Sequence, residues 1–337
     1  MDTAVHISIY LENQEQETPA RAAIESAFDE MAQLDSLMSS FRDDSEVASV
    51  NRAASTAHQE AEGNAKDLSV AISSHLDTVI RTSLEFGQLS GGALDITIAP
   101  VLKLWGFGTE APAVPAATEL DSATQLVDFR NLALEEIQIS ADLPRDEFRP
   151  TARLRFKNAG MAIDLGAVAK GYIVDRAFEL LHSKGYGDLL VEAGGDLRST
   201  ASDLTEGRRR IWIQHPRNPE EFFANFHFNS GAVATSGDYE RFFEKNGRRY
   251  HHILNPRTGY PAGMNDSGVQ TVSATAVTTT TMRADALSTA VFVMGPEEGI
   301  DLAERLPQVE TVVMFFKNGE LNWKATSGLS KKLKLVE

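Results

Sequence analysis

The run "MAIDLGAVAKGYIVDRAFELLHSKGYGDLLVEAGGDLRS", Met161–Ser199, decides the fold class of this 337-residue chain. Its first four residues, "MAID", predict a short strand. The next part places Val174, Phe178 and Leu181 on one helical face and ends in a Lys-Gly pair. The last part, "DLLVEAGGDLRS", predicts a buried strand that opens into a Gly-Gly-Asp turn.

The N-terminal part predicts a strand followed by a helix. "AVHISIY", residues 4–10, alternates apolar and polar side chains as a half-buried strand does. The next stretch predicts a helix capped by Thr18, with Pro19 in its first turn. The apolar positions of this helix recur at helical spacing: Ile24, Phe28, Met31, Leu34 and Met38.

Further along, helices and strands alternate irregularly. A second helix is predicted from Asp67 to Leu84, closed by Gly91 and Gly92. Residues 109–128 are rich in Ala, Pro and Thr, which indicates a surface excursion. "RRIWIQHP" and "SGAVATSGDYERFFE" predict strands and turns, and "RADALSTAVFVMG" predicts a helix of small and apolar residues. Several hairpins among helices favour an α+β fold.

Composition limits the class of protein. The chain is 42% hydrophobic and 24% charged, which suits one large domain or two closely packed lobes. Its formal net charge of −16 opposes binding to nucleic acid or to anionic lipid. It has no cysteine, so disulfides, thiolate metal sites and Cys nucleophiles are excluded.

Targeting signals are not evident. No apolar run approaches the roughly 20 residues that span a bilayer, so the sequence predicts no transmembrane segment. The N-terminus lacks the basic-then-apolar order of a secretory signal. Two localisations stay open: the cytoplasm if the chain is complete, or an exported or membrane-anchored protein if a leader has been removed.

Two glycine-rich turns are candidate ligand sites. In "LGAVAKGYIVD", small residues let a helix N-terminus approach a phosphate, and Lys170 supplies a cation, although packing alone also explains this composition. In "EAGGDLRS", Glu192–Ser199, a Gly-Gly-Asp turn lets a flat ligand lie on bare backbone while carboxylates accept hydrogen bonds from it. An ordinary turn with an Asx bond explains the second motif equally well.

Asp285 and Thr289 are a candidate metal site. They lie four residues apart in a predicted helix and therefore share one face. Together they offer a hard oxygen pair suited to Mg²⁺, which completes its shell with water and substrate phosphate. The alternative is an Asp favoured near a helix start and a Thr that bonds back to the preceding turn.

The stretch "HHILNPRTGYP", His251–Pro261, places a histidine at a strand end before an Asn-Pro turn. Alternation along the strand sends His251 and His252 to opposite faces, so only one of them can face a given site. An ordinary surface or core histidine is the alternative.

The order of these motifs resembles the ApbE family of FAD:protein FMN transferases over about residues 1–329. Eight blocks carry the resemblance: "SSFRDDSEVASVNRAA", "SGGALDITIAPVLKLWGFG", "IDLGAVAKGYIVDRAFELL", "VEAGGDLR", "IQHPR", "AVATSGDYERFF", "YHHILNPRTGYP" and "ADALSTAVFVMG". The resemblance implies a single ApbE-like, T-fold-related α+β domain over residues 1–337. Two lobes with mixed or antiparallel sheets, flanked by helices, would leave a cleft between them.

The resemblance also implies a reaction. Such an enzyme depends on Mg²⁺, takes FAD as substrate, releases AMP and joins FMN through a phosphoester to a Thr or Ser. The acceptor would be a partner flavoprotein that carries a flavinylation motif. Two alternatives stay open: a FAD pyrophosphatase that forms FMN and AMP, and a non-catalytic flavin-binding protein.

Individual residues take roles from the family's motifs. Asp285 and Thr289 match its metal ligands, helped by a backbone carbonyl near Ala167. His252 matches the histidine before its Asn-Pro turn and would accept the proton of the acceptor hydroxyl, whereas His251 is assigned to structure. Eight residues match blocks that line its FAD cleft, with Lys170 on the phosphates: Met1, Ser40, Phe41, Asp95, Lys170, Gly194, Gly195 and Asp196.

Two positions depart from the family's pattern. Asp2 stands where Gly is common, which bears on the support of Met1 for a flavin contact. Asn255 stands where Asp is frequent; it removes a charge but retains an acceptor, so we expect the turn to form.

Overall fold

A seven-stranded antiparallel sheet forms the centre of one of two units in the computed structural model of the chain. The structure describes residues 3–59, 69–138, 147–201, 209–263 and 268–336. The first unit comprises Met1–Asp35, Val168–Ile253 and Pro261–Glu337. The second comprises Ser36–Ala167 and Leu254–Tyr260.

The sheets of the first unit are antiparallel throughout the described residues. The seven-stranded sheet has the order β1 (Val5–Ile9), β5 (Leu189–Ala193), β6 (Asp196–Thr200), β9 (Ser230–Gly237), β12 (Val269–Thr278), β13 (Glu310–Lys317), β14 (Glu320–Ala325). A three-stranded sheet has the order β15 (Lys334–Leu335), β8 (Asn218–Phe228), β7 (Arg209–His215). A separate hairpin pairs β10 (Phe242–Lys245) with β11 (Arg248–His251).

Five α-helices accompany these sheets in the described residues. They are α1 (Glu17–Met38), which begins in the first unit, α6 (Ala169–Ser183), α7 (Thr281–Met294), α8 (Glu298–Arg305) and α9 (Ser327–Ser330). Helix α7 packs on β9 and β12, and α6 packs on β5 and on α7. No described helix is long and apolar enough to cross a bilayer.

Both faces of the seven-stranded sheet are buried, and alternate side chains of β9 point to the two faces. Val233 points to one face and joins the apolar cluster that the three-stranded sheet covers, with Ile211 and Phe226. Ala232 and Ala234 point to the other face and meet Ala284 of α7. Small side chains on that face let α7 lie close to the sheet. The unit therefore has three layers: sheet, sheet and helices.

The second unit contains a small sheet with the order β2 (Ser69–Ser73), β4 (Pro150–Phe156), β3 (Leu132–Glu136). Its helices are α2 (Glu46–Gln59), α3 (Ser74–Leu89), α4 (Ala99–Trp105) and α5 (Ala117–Thr124). The predicted turn after Asn255 forms here, with the Gly259 N–H donating to the Asn255 carbonyl over 2.8 Å. The Trp105 indole N–H donates to the carbonyl of Gly259 over 2.8 Å, and this bond anchors the turn.

The α+β class is confirmed, as are the predicted first strand, the helices α6 and α7, and the buried strand with its turn at Gly194 and Gly195, which the structure extends to a hairpin. The second predicted helix is wrong in its first part. Residues 69–73 form strand β2 because they pair with β4, far along the chain, and Ser73 caps α3 by accepting from the Leu76 N–H. Asp67 itself lies outside the described residues.

Three further differences have local causes. Thr18 lies inside α1 and is not its cap, since a 3₁₀ turn at Gln14–Gln16 leads directly into the helix. Phe28 is 41% exposed because alanines such as Ala27 occupy the buried face of α1. "MAID" forms no strand, since the Ile163 N–H bonds to the side chain of Asn51 instead.

The stretch 109–128, predicted as a surface excursion, contains α5. Leu120 in that helix is buried, and Gly259 of the Asn-Pro turn lies against it. The prediction of one domain with a cleft between two lobes stays a prediction.

Candidate functional site

Asp196 begins β6 directly after the Gly-Gly turn. Gly194 and Gly195 have φ values of +57° and +88°, the left-handed region that a tight two-residue hairpin turn requires. Leu197 pairs with Val233 on the face of the seven-stranded sheet that the three-stranded sheet covers, here called the sandwich face. Alternation therefore sends Asp196 to the opposite face, on which α7 packs, here called the helix face. Its carboxylate is fully buried there.

Lys170 lies in the first turn of α6 and forms an ion pair with Asp196. Oδ1 of Asp196 has no hydrogen-bond partner among the described residues, although it is buried. A buried carboxylate oxygen without a donor is costly, so it indicates a site prepared for a ligand or cation.

Asp285 comes to the same place from α7. Its Oδ2 accepts from the backbone N–H of Gly171 over 3.0 Å. The two helices meet closely at this point, since a β-carbon on Gly171 would lie 2.6 Å from the Thr281 carbonyl carbon. Glycine at 171 therefore permits the helix contact that positions the carboxylate.

The two carboxylates perturb each other. Burial, then repulsion from Asp285, raises the pKa of Asp196 to about 8. Burial likewise raises the pKa of Asp285, although Lys170 opposes this. Burial disfavours the charge of Lys170, but Asp196 and Asp285 raise its pKa overall. With a pKa of about 8, the Asp196 carboxyl is largely protonated at neutral pH, and a bound cation would favour its charged form.

Three hydroxyl side chains contact one another where α7 packs on β9. Ser236 follows Ala232 and Ala234 at period two along β9 and therefore faces α7. Its Oγ lies 2.9 Å from Oγ of Ser288 and 3.1 Å from Oγ1 of Thr289. Thr289 thus contacts a hydroxyl of the sheet on the helix face that it shares with Asp285.

The two histidines lie on opposite faces, as alternation predicts. His251 is buried, packs edge-on against Phe292, and its Nε2 lies 3.0 Å from the Ala262 carbonyl oxygen. His252 is half-buried, and its Nδ1 lies 3.2 Å from the Arg241 carbonyl oxygen. A neutral ring that donates from Nδ1 keeps its lone pair on Nε2.

Burial, then the neighbouring His251, lowers the pKa of His252 below its ordinary value of 6.5. Lys170 contributes to the same shift, so His252 lies within electrostatic reach of the carboxylate cluster. At neutral pH the imidazole is unprotonated, the form that a proton acceptor requires.

The remaining predicted residues lie in the second unit or outside the described chain. Ser40 and Phe41 occupy an exposed turn, with Phe41 beside Gly108. Asp95 is buried, and its carboxylate accepts from the Thr97 N–H and hydroxyl and from the Phe129 N–H. Ala167 lies in the turn before α6. Met1 lies outside the described residues.

Sequence reasoning missed the residues that support the site. Asp175 on α6 accepts from the Thr281 and Met282 N–H groups over 2.8 and 2.9 Å, and so caps α7. It lies four residues after Gly171, on the same face of α6. That spacing, visible in "KGYIVD", was the signal that both residues face one neighbour.

A cavity of about 410 Å³ lies elsewhere in the first unit. Arg198, Thr200 and Thr278 are among its lining residues, and none of the candidate site residues lines it. The cavity therefore lies at the end of β6 that is opposite to Asp196, near the C-terminal end of β12.

Comparisons with known proteins agree on one family. A family model described as the ApbE family matches residues 1–313. A relative named FAD:protein FMN transferase, from Treponema pallidum (strain Nichols), is 32% identical over 326 residues, or 94% of this chain and 82% of the relative. Another of that name, from Vibrio cholerae serotype O1, is 33% identical over 273 residues, or 79% and 72%.

Solved structures show the same fold. The ApbE protein of Thermotoga maritima MSB8 matches with a TM-score of 0.77 and 29% identity, covering 98% of this chain and 96% of that chain. The flavin transferase ApbE from Vibrio cholerae matches with a TM-score of 0.75 and 27% identity over the same shares.

Proposed function

The chain belongs to the ApbE family, and we propose that it is a Mg²⁺-dependent FAD:protein FMN transferase. The proposed reaction cleaves the FAD pyrophosphate, releases AMP and attaches FMN through a phosphoester to a Thr or Ser hydroxyl of an acceptor flavoprotein. The relatives' names support the coarser statement that the chain is a flavin transferase enzyme.

One observation carries the proposal: Lys170, Asp196 and Asp285 converge in one buried cluster from three separate elements. A fold gains little stability from two buried carboxylates that share one cation, since burial penalises each charge. Such a cluster is typical of a site whose charge is completed by a ligand.

The residues present fit a Mg²⁺ ion. We propose that Asp285 and Thr289 hold it, helped by a backbone carbonyl near Ala167, with Asp196 close by. The described residues contain no group of three or more His, Asp or Glu side chains that could enclose a metal. Mg²⁺ does not need one, because it commonly binds through one or two carboxylates, water and substrate phosphates. When bound, it would neutralise charge on the phosphate oxygens.

Lys170 would contact the diphosphate of FAD. The Lys170 side chain is 26% exposed, so a phosphate can reach it while Asp196 holds it in place. In a chain with a net charge of −16, this local cation offsets the repulsion that an anionic substrate meets.

His252 would serve as the general base. The acceptor hydroxyl oxygen attacks the phosphorus of the FMN half, the bond from that phosphorus to the AMP oxygen breaks, and the hydroxyl proton passes to Nε2. The Arg241 carbonyl fixes the tautomer that leaves Nε2 free. AMP leaves with its phosphate, so atoms and charge balance.

The test is to incubate the enzyme with FAD, with and without Mg²⁺, and with an acceptor domain that carries the Thr/Ser motif. We expect AMP release that requires Mg²⁺ and a covalent FMN adduct on the acceptor by mass spectrometry. AMP with free FMN alone would make the chain a pyrophosphatase. FAD binding without cleavage would make it a flavin-binding protein.

A matched pair of variants distinguishes the role of the Asp196 carboxylate from a general effect of losing one acidic side chain. Asp196→Asn changes the buried carboxylate, and Asp301→Asn makes the same change at an exposed position on α8. We expect AMP release to fall sharply in Asp196→Asn and to stay at the wild-type level in Asp301→Asn. Equal rates in both variants would remove Asp196 from the site.

A further inference from the structure

The β10–β11 hairpin carries His252 at its end, and its two faces differ in chemistry. Phe243 pairs with Tyr250 and Lys245 pairs with Arg248 in the hairpin register. The same register continues to Arg241 and His252, since the His252 N–H donates to the Arg241 carbonyl over 3.0 Å. Paired residues of an antiparallel ladder point to the same face, and alternate residues share it.

One face therefore contains His252 together with three cations and two aromatic rings. We call this the basic hairpin face and define it by Arg241, Phe243, Lys245, Arg248 and Tyr250. The rings of Phe243 and Tyr250 stack with centroids 5.4 Å apart, and the Arg248 guanidinium lies 5.5 Å from the Tyr250 ring centre. No hairpin carboxylate points to this face.

The opposite face is neutralised and packed. Arg249 lies 3.4 Å from Glu244, 4.0 Å from the buried Asp238 and 4.0 Å from the centre of the Phe242 ring. His251 on that face is buried against Phe292. On that face, the cation Arg249 therefore has acidic partners and His251 is packed within the first unit.

Two of the cations have no ion-pair partner among the described residues. Arg241 and Lys245 are both exposed, and neither forms a salt bridge there. This is unusual in a chain where 48 acidic residues face 32 basic ones. Uncompensated cations beside two rings favour an anionic, partly apolar partner over solvent alone.

We propose that the basic hairpin face is the docking surface for an acidic, extended segment of the acceptor protein. The inference rests on the proposed function, because only a protein acceptor needs a surface beside the base. His252 lies four positions after Arg248, so the face is about 13 Å long at the usual strand rise. A segment of about four extended residues, lying along this face, brings its hydroxyl to Nε2 of His252.

The charge on this face also orients the acceptor. Carboxylates of the segment meet Arg241, Lys245 and Arg248, while its apolar side chains lie on the stacked rings. Electrostatic complementarity of this kind raises the association rate and fixes the register of a bound segment. FAD, by contrast, meets the enzyme at the carboxylate cluster and Lys170.

The test compares two double variants with equal charge changes in the full-length enzyme. Lys245→Glu with Arg248→Glu reverses the far end of the face and leaves His252 and Arg241 intact. Lys332→Glu with Lys334→Glu reverses two exposed cations near the C-terminus and is the control. The probe is an acceptor domain whose carboxylates near the target hydroxyl are present, or replaced by Asn or Gln.

We expect the hairpin variant to raise the KM for the acceptor about tenfold or more, the range seen for lost charge pairs. The KM for FAD and kcat should stay within about twofold of wild type, as for surface changes away from a site. Added salt should weaken acceptor binding in wild type and in the control more than in the hairpin variant. The neutralised acceptor should lose affinity for wild type but not for the hairpin variant.

Each other outcome overturns a defined statement. If the wild-type enzyme transfers no FMN to any acceptor, the proposed function fails and the docking surface falls with it. If wild type transfers FMN but the hairpin variant matches the control, the docking surface alone is wrong. A rise in the KM for FAD of the same size as that for the acceptor would assign the face to FAD and overturn the inference.

Discussion

The backbone N–H of Gly171 donates to Oδ2 of Asp285 over 3.0 Å, so the first turn of α6 holds a carboxylate of α7. The same two helices touch through backbone atoms, since Gly171 lies directly against Thr281 and Met282. The position of the candidate metal ligand is therefore set by how closely two helices approach.

Gly171→Ala should separate these helices. The new β-carbon would lie 2.6 Å from the Thr281 carbonyl carbon and 2.8 Å from the Met282 Cα, and backbone atoms cannot move aside cheaply. We expect a loss of about 1–3 kcal/mol in the free energy of unfolding, as for other overpacked cores. Urea denaturation measures this loss, and the Mg²⁺ dependence of AMP release should weaken with it.

Gly187→Ala is the matched control. A β-carbon at Gly187 meets no atom within 4 Å, so its stability and activity should stay at wild-type values. Equal effects of the two substitutions would show that the close helix contact does not explain the glycine at position 171.

Asp285→Asn should abolish activity without lowering stability. Asn retains an acceptor for the Gly171 N–H and removes one of two buried carboxylates that repel each other. We expect Mg²⁺-dependent AMP release to be lost while the free energy of unfolding equals or exceeds that of wild type. A Mg²⁺ titration of turnover and urea denaturation measure the two effects, and normal turnover would exclude Asp285 as a ligand.

His252→Ala should retain FAD binding and lose FMN transfer. The side chain is half-buried and has one backbone partner, so its removal should cost about 1 kcal/mol or less in stability. FAD titration by fluorescence and mass spectrometry of the acceptor give the two readouts. Transfer at the wild-type rate would show that another group accepts the proton.

His251 should make the fold sensitive to acid. Burial lowers the pKa of His251 from 6.5 to about 4, so the unfolded chain takes up a proton there at a higher pH than the folded chain does. Stability is then complete above about pH 6.5 and falls as the pH drops towards 4, by up to about 3 kcal/mol. Urea denaturation across this range measures the loss.

The His251→Gln variant removes that titration. Its free energy of unfolding should change less between pH 6.5 and pH 4 than that of wild type, whatever its value at neutral pH. Parallel curves for the two proteins would mean that His251 does not titrate with a lowered pKa.

Lys170→Ala should weaken FAD more than riboflavin, because only FAD offers phosphates to the ammonium. We expect about a tenfold loss in FAD affinity, the size of one charge-assisted contact, with riboflavin little changed. Equilibrium titration of both ligands decides between this role and a purely structural one, for which both affinities would fall together.

The local sequence pattern was sufficient to predict the elements that contain the candidate site residues. The periodicity of "KGYIVDRAFELL" and of "ADALSTAVFVMG" predicted α6 and α7, and "EAGGDLR" predicted the turn that precedes Asp196. Each of these signals lies within one element and its turn. The structure then brings Lys170, Asp196 and Asp285 together, which no single element could predict.

The failures arose where distant parts of the chain decide the local structure. Residues 69–73 continue an apparent helical period, but pairing with β4 converts them to a strand. The sequence pattern did not predict α5, because this helix has only eight residues and its buried Leu120 packs against Gly259 far along the chain. The capping of α7 by Asp175 likewise depends on a contact between two helices more than 100 residues apart in sequence.

The alanines between β9 and α7 have a consequence for how this protein can vary. On the sandwich face, exchange of Val233 for another aliphatic residue alters packing between two sheets and costs a modest amount of stability. On the helix face, a larger residue at Ala232 or Ala234 displaces α7, and Asp285 moves with it. The two faces of this one strand should therefore respond differently to substitution: we expect changes on one face to alter the melting temperature, and changes on the other to lower turnover in a protein that still folds.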